Sequence, residues 1–106
     1  MLTILIRYQG KGGSARRFVN EMISSGVVSK IRQEEGNIRY EYFFPLDNEE
    51  SVLLVDSWKN QEALDEHHKL PLMDDIKRLR EKYDLHMEVE KYEPIVDDKD
   101  ERFIRR

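Results

Sequence analysis

Residues 37–58, NIRYEYFFPLDNEESVLLVDSW, decide the fold. Over Asn37–Pro45 the side chains alternate, with Ile38, Tyr40, Tyr42 and Phe44 on one face and Arg39, Glu41 and Phe43 on the other. That period of two is the signature of a strand. LDNEE at 46–50 has turn chemistry. Ser51–Trp58 alternates again, placing Val52, Leu54, Asp56 and Trp58 on one face and Leu53 and Val55 on the other. Two such strands joined by a short polar link predict a β-hairpin.

The chain before the hairpin reads as strand, turn and helix. Leu2–Tyr8 places Leu2, Ile4, Ile6 and Tyr8 on one face and Thr3, Leu5 and Arg7 on the other. GKGG at 10–13 is a turn; it lacks the spaced Gly-Lys-Ser/Thr of a phosphate-binding loop. With Ser14 as N-cap, Ala15, Phe18, Val19, Met22, Ile23, Gly26, Val27 and Ile31 fall at steps of three and four. This predicts one amphipathic helix of about five turns, weakened in its middle at Ser24-Ser25-Gly26 and closed by Gly36.

After the hairpin, Asn60 caps a helix that turns Ala63, Leu64, His67 and Leu70 inward. Pro71 breaks it and starts a second piece with Leu72, Ile76, Leu79 and Tyr83 in register. Leu85–Tyr92 is a last strand, with Leu85, Met87 and Val89 on one face. The order β-α-β-β-α-β, its second helix broken at Pro71, predicts an α+β domain of ferredoxin-like type with a four-stranded antiparallel sheet. That domain spans residues 1–93. Residues 94–106 form a tail; from Asp97 onward it carries four acids and four bases, and only Phe103 and Ile104 are sizeable apolar side chains there. Such an end is disordered, or clasps a partner.

Several strands are apolar on both faces, yet helices of one chain cover only one. The second face therefore calls for another sheet, which a homodimer supplies as a dimeric α/β barrel.

The 106 residues amount to one domain, 39% hydrophobic and 38% charged. The net charge of −4 and the lack of a basic, aromatic-studded stripe argue against nucleic acid as a partner. The absence of cysteine removes disulfides, thiolate metal sites and Cys nucleophiles, and fits a reducing cytoplasm. The apolar run at the N-terminus is too short to span a bilayer.

MLTILIR at the start, EEGNIRYEY at 34–42, DSWKNQEALDEHH at 56–68 and HMEVEKYE at 86–93 together resemble the antibiotic-biosynthesis and quinol monooxygenase family. The most specific piece is Trp58, then Glu62-Ala63-Leu64, then His67 four residues before Pro71. The resemblance covers residues 1–93. It implies a homodimer that oxygenates a small aromatic diol or quinol with molecular oxygen and without flavin, haem or metal. Such chemistry needs a base to take the phenolic proton, apolar walls for the ring and a dry interior. Related dimeric barrels also serve as non-catalytic binding modules and as sugar mutarotases.

His67 is the candidate base, on the apolar face of its helix; the alternative is a buried histidine satisfied by a neighbouring carboxylate. Trp58 matches a tryptophan common in the family and is a candidate pocket wall, as well as a candidate packing residue. Tyr40 and Tyr42 either hold a substrate ring or pack across strands. Tyr8 and Arg78 complete the candidate substrate-binding set, Arg78 through its place near a family arginine. His68 diverges by about 100° from His67, so the pair is no metal site. Leu54 and Leu64 stand where anthrone-oxidising members carry asparagine and tyrosine. Tyr8, His67 and Lys77 stand where haem-degrading members carry asparagine, tryptophan and histidine, so haem degradation is not expected.

Overall fold

The computed structural model describes residues 1–106. Its strands are β1 (Leu2–Gln9), β2 (Asn37–Phe43), β3 (Ser51–Trp58) and β4 (His86–Tyr92), and its helices α1 (Ser14–Ser24), α2 (Val27–Arg32), α3 (Gln61–His68) and α4 (Leu72–Lys82). The sheet order is β2-β3-β1-β4, and every neighbouring pair is antiparallel. This is the ferredoxin-like arrangement, in which the two halves interleave so that β1 and β3 lie at the centre.

Register fixes what each face carries. Lys91, Ile4, Asp56 and Tyr40 form one row across the sheet, and Val89, Ile6, Leu54 and Tyr42 form the next. These rows face the helices. Phe18 of α1 packs on Tyr8, with ring centroids 5.1 Å apart, and meets Tyr42 and Tyr83 edge-on. Phe18, Met22, Ile31, Val52, Leu54, Trp58 and Ile76 are fully enclosed and make the centre of the core. On the opposite face Leu5, Leu53 and Val55 are only half-buried, Phe43 is exposed, and no helix lies over them.

Four local expectations are corrected. The long first helix is two helices, because Gly26 adopts φ +87 and redirects the chain between α1 and α2. A left-handed residue without a Cβ ends one helix and starts the next at little cost. In consequence Ile23, placed on the inner stripe by periodicity, is exposed. Ser14 is not the N-cap; Gly13 is, and the Ser14 hydroxyl instead accepts from the Lys11 amide. In β2 an irregularity between Asn37 and Arg39 turns Ile38 outward. Leu70, expected inward, is on the surface.

Asn60 caps α3 by accepting from the Ala63 amide at 2.9 Å. Pro71 stands at the N-terminal boundary of α4 and separates it from α3. The tail leaves the sheet after Tyr92 and holds a single 3-10 helix, Asp98–Phe103, whose side chains are all exposed. No helix is long and apolar enough to cross a membrane.

Candidate active site

A cavity of about 330 Å³ lies between the helix-facing rows of the sheet and the α3–α4 pair. Its floor is Ile4 and Ile6 of β1, Tyr40 of β2, Leu54 and Asp56 of β3, and Met87, Val89 and Lys91 of β4. Its roof is Gln61, Leu64, His67 and His68 of α3 with Met73, Ile76 and Arg80 of α4. Most of the wall is apolar, and the volume suits a small aromatic molecule. A larger depression between α3 and Glu34–Glu35 is polar and shallow, and has no apolar wall to hold a ring.

His67 is 3% exposed and reaches this cavity. Its Nδ1 lies 2.8 Å from Glu34 Oε2 and 3.1 Å from Oε1. An ionised carboxylate only accepts, so Nδ1 carries a proton and donates it. That fixes the tautomer, leaving Nε2 as the ring's basic nitrogen in the neutral imidazole. Glu34 follows α2, in the turn that Gly36 closes; Gly36 has φ +90, and a Cβ built there would stand 2.7 Å from the Ala63 Cβ. The close approach of this turn to α3 is what brings Glu34 to His67.

Trp58 is fully buried and its ring stacks on His67, centroids 4.6 Å apart and planes 33° from parallel. It does not line the cavity; it supports His67 from behind. Its indole N–H donates to Asp56 Oδ1 at 2.7 Å. Asp56 is 6% exposed, and burial pushes its pKa from 3.8 up to about 7, with Glu34 adding to the rise while the indole and Arg80 oppose it. Sequence reading passed over Asp56 as an inward residue of a strand. The available signal was a carboxylate at an otherwise apolar i, i+2, i+4 position, two residues before a tryptophan.

Arg80 Nε donates to the Tyr8 hydroxyl at 3.0 Å, and the guanidinium borders the cavity. Tyr8 is buried beneath it; burial raises its pKa, against the pull of Arg80. Tyr8 therefore acts on the cavity through Arg80. Tyr40 lies on the cavity floor, and burial raises its pKa well above the usual phenol value. Its carbonyl is clamped by Arg32, whose Nη2 donates at 2.6 Å. Tyr42 lies one row further on, outside the cavity, packed edge-on against Tyr40 and Phe18, its hydroxyl buried without a hydrogen-bond partner. Arg78 is on the outer side of α4, paired with Asp75 in solvent and away from the cavity. Two residues along the helix, Arg80 holds the position over the sheet that Arg78 was expected to fill, because a step of two on a helix rotates a side chain by about 200°. His68 reaches the cavity mouth, and burial together with the charge of His67 lowers its pKa.

The family profile for antibiotic biosynthesis monooxygenase matches residues 1–79. No curated protein matches the chain. Many solved structures share its fold, among them the following three. A Deinococcus radiodurans protein, provisionally assigned as an antibiotic biosynthesis monooxygenase, is 17% identical with a TM-score of 0.79, over 92% of this chain and 95% of its own. SnoaB, a cofactor-independent oxygenase from Streptomyces nogalater, is 13% identical with a TM-score of 0.75, over 92% of this chain and 95% of its own. A conserved protein from Methanosarcina mazei is 24% identical with a TM-score of 0.73, over 86% and 89% respectively. At such identities these likenesses concern the fold. With three quarters of its length inside the profile, the chain belongs to the antibiotic biosynthesis monooxygenase family.

Proposed function

We propose that this protein is a monooxygenase of a small aromatic diol or quinol, working with molecular oxygen and no bound cofactor. One observation carries the reading: a histidine with its tautomer fixed by a half-buried carboxylate opens onto an apolar cavity of about 330 Å³. Nε2 of His67 takes the phenolic proton, and the O–H bond breaks to leave a phenolate. The phenolate gives one electron to oxygen. Superoxide and the substrate radical join at a ring carbon that bears hydrogen, and the peroxide takes up a proton. The resulting hydroperoxide loses its C–H proton as the O–O bond breaks, and the departing hydroxide is protonated and leaves as water. One quinol and one molecule of oxygen thus become one hydroxyquinone and one water. Arg80 and Lys91 place positive charge beside the cavity, which favours the anionic form of the substrate. Tyr40 and the apolar wall hold the ring.

The open face of the sheet, with Leu5, Leu53, Val55 and Phe43, belongs in this proposal against the same face of a second copy. A self-complementary two-fold contact would bury it and keep the sheet rigid beneath the cavity. The lack of cysteine suits work in a reducing compartment such as the cytoplasm.

The test is oxygen uptake by the wild type, His67→Ala and Glu34→Gln against hydroquinones, catechols and anthrones. Loss of a general base lowers the rate by about 100-fold or more. Glu34→Gln keeps a hydrogen-bond acceptor but removes the charge, and is expected to lose about 10-fold, in the manner of second partners that orient a histidine. No uptake by any of the three, together with saturable quenching of Trp58 by the same compounds, would instead identify a non-catalytic binding module on this fold.

A further inference from the structure

Asp56 is the one carboxyl group on the cavity wall. Its setting is unusual for a strand residue buried among Ile4, Leu54 and Tyr40. Burying an ionised carboxylate without a cationic partner in contact is costly. A hydrophobic residue of similar size would pack here at no such cost.

The hydrogen bond to Trp58 directs the chemistry of this group. An indole N–H only donates. Oδ1, which receives it at 2.7 Å, is therefore the less favoured oxygen for a proton. A proton that Asp56 carries favours Oδ2. That oxygen has no hydrogen bond within the protein and is not sealed off as a buried orphan, so it faces the cavity that Asp56 lines. Trp58 thus aims the titrating oxygen at whatever occupies the cavity. We propose that Asp56 is a second proton-transfer residue of this site, taking a proton from, or returning one to, the bound phenol through Oδ2 while Trp58 holds Oδ1.

The proposal rests on the reading of the cavity as a phenol site and deepens it. The overall reaction has two proton departures, one from O–H and one from C–H, and two proton returns, one to the peroxide and one to the departing oxygen. His67 alone serves one of these at a time. A carboxyl group on the floor opposite the roof histidine approaches a planar ring from the other side. In its ionised form Oδ2 accepts the proton of the ring C–H as the O–O bond breaks, and the pair of electrons of that C–H bond becomes the new C=O. In its protonated form it donates to the departing oxygen, which leaves as water.

Groups from every neighbouring element set its titration. Lys91 and Tyr40 share its row from β4 and β2, and Tyr8 lies further along β1 on the same face of the sheet. Arg80 of α4 stabilises its charge and Glu34 opposes it; His67 and His68 complete the roof.

The experiment is a pH titration of the protein labelled at its aspartate carboxyl carbons, followed by 13C NMR, for the wild type, Asp56→Asn and Trp58→Phe. Each is measured with and without millimolar 4-nitrophenol as the probe. One carboxyl resonance is expected to titrate near neutrality, to vanish in Asp56→Asn and to titrate at higher pH in Trp58→Phe, where the indole no longer stabilises the charge. Adding 4-nitrophenol should shift that resonance and its midpoint. A resonance unmoved by the probe, or unmoved by loss of the indole, overturns the assignment. Both readouts stand without turnover. If oxygen uptake is absent while the Asp56 resonance responds, the oxygenase reading fails and the proton-transfer assignment stands. If uptake is present and Asp56→Asn retains the wild-type rate and pH profile, the assignment fails and the oxygenase reading stands.

Discussion

Asp56→Asn is expected to stabilise the protein above neutral pH and to change little in mild acid. The side chain is 6% exposed, and burial, its largest influence, raises its pKa from 3.8 to about 7. Between those two values the unfolded chain has released a proton that the folded chain keeps. Stability therefore falls as pH rises through that window, and this group adds no slope below it or above it. Each pH unit is worth about 1.4 kcal/mol, so ionised Asp56 costs at most about 4 kcal/mol at high pH. The cavity admits water to Oδ2, which reduces the figure to about 2–4 kcal/mol. Asparagine removes the charge, keeps nearly the same volume and keeps an oxygen for the Trp58 N–H, which Asp56 accepts at 2.7 Å. The measurement is urea unfolding at fixed protein concentration from about pH 4 to about pH 8.5, followed by tryptophan fluorescence. The gain in the variant should grow through the window and then level off. In thermal melts about 2 kcal/mol would raise Tm by roughly 10 °C in a domain of this size. A difference between variant and wild type that is the same at every pH would refute the reasoning, as would one that grows towards acid.

Gly36→Ala should destabilise the fold by about 2–4 kcal/mol, through a left-handed backbone and a clash with Ala63; a smaller loss in urea titration would show that the turn yields. Val55→Lys, in the middle of the open sheet face, should convert a dimer to a monomer in sedimentation velocity at micromolar concentration, whereas a wild type that is already monomeric there would sink the pairing. Arg78→Ala should leave oxygen uptake within about two-fold, because Arg78 is solvent-exposed and paired with Asp75, while Arg80→Met should lower it by about 10-fold or more by removing charge beside the developing phenolate; equal effects of the two would contradict the placement of the cavity.

The fold was legible because its strands alternate cleanly and its helices repeat at three and four. Val52, Leu54, Asp56 and Trp58 were placed together by period two, and they do share the buried face. What misled was the continuity of one apolar stripe across Gly26. Periodicity registers spacing, not the sign of φ, and a glycine at +87 breaks a helix without breaking the pattern. The irregularity at Ile38 is invisible for a similar reason, since the extra residue depends on how β2 meets β3. At the site, a family likeness drew attention to His67 and Trp58. Glu34 could not be joined to His67 from the sequence, nor Arg80 to Tyr8, because those contacts span 33 and 72 residues and depend on how the helices lie over the sheet.

Trp58 links the two halves of this site. Its edge donates to Asp56, two residues back along the same strand, and this is possible because alternate side chains of a strand stand side by side. Its face carries the imidazole of His67 from the opposite layer. The Asp56 carboxyl on the floor and the His67 ring in the roof are thereby both held by one rigid ring, itself fully buried and unable to swing. A tryptophan outside the cavity can then matter to chemistry without touching substrate. It sets which oxygen of Asp56 is free, while Glu34 sets which nitrogen of His67 is free. Under the proposed reading, both choices leave one polar atom of each residue free for the cavity that His67 and Asp56 line.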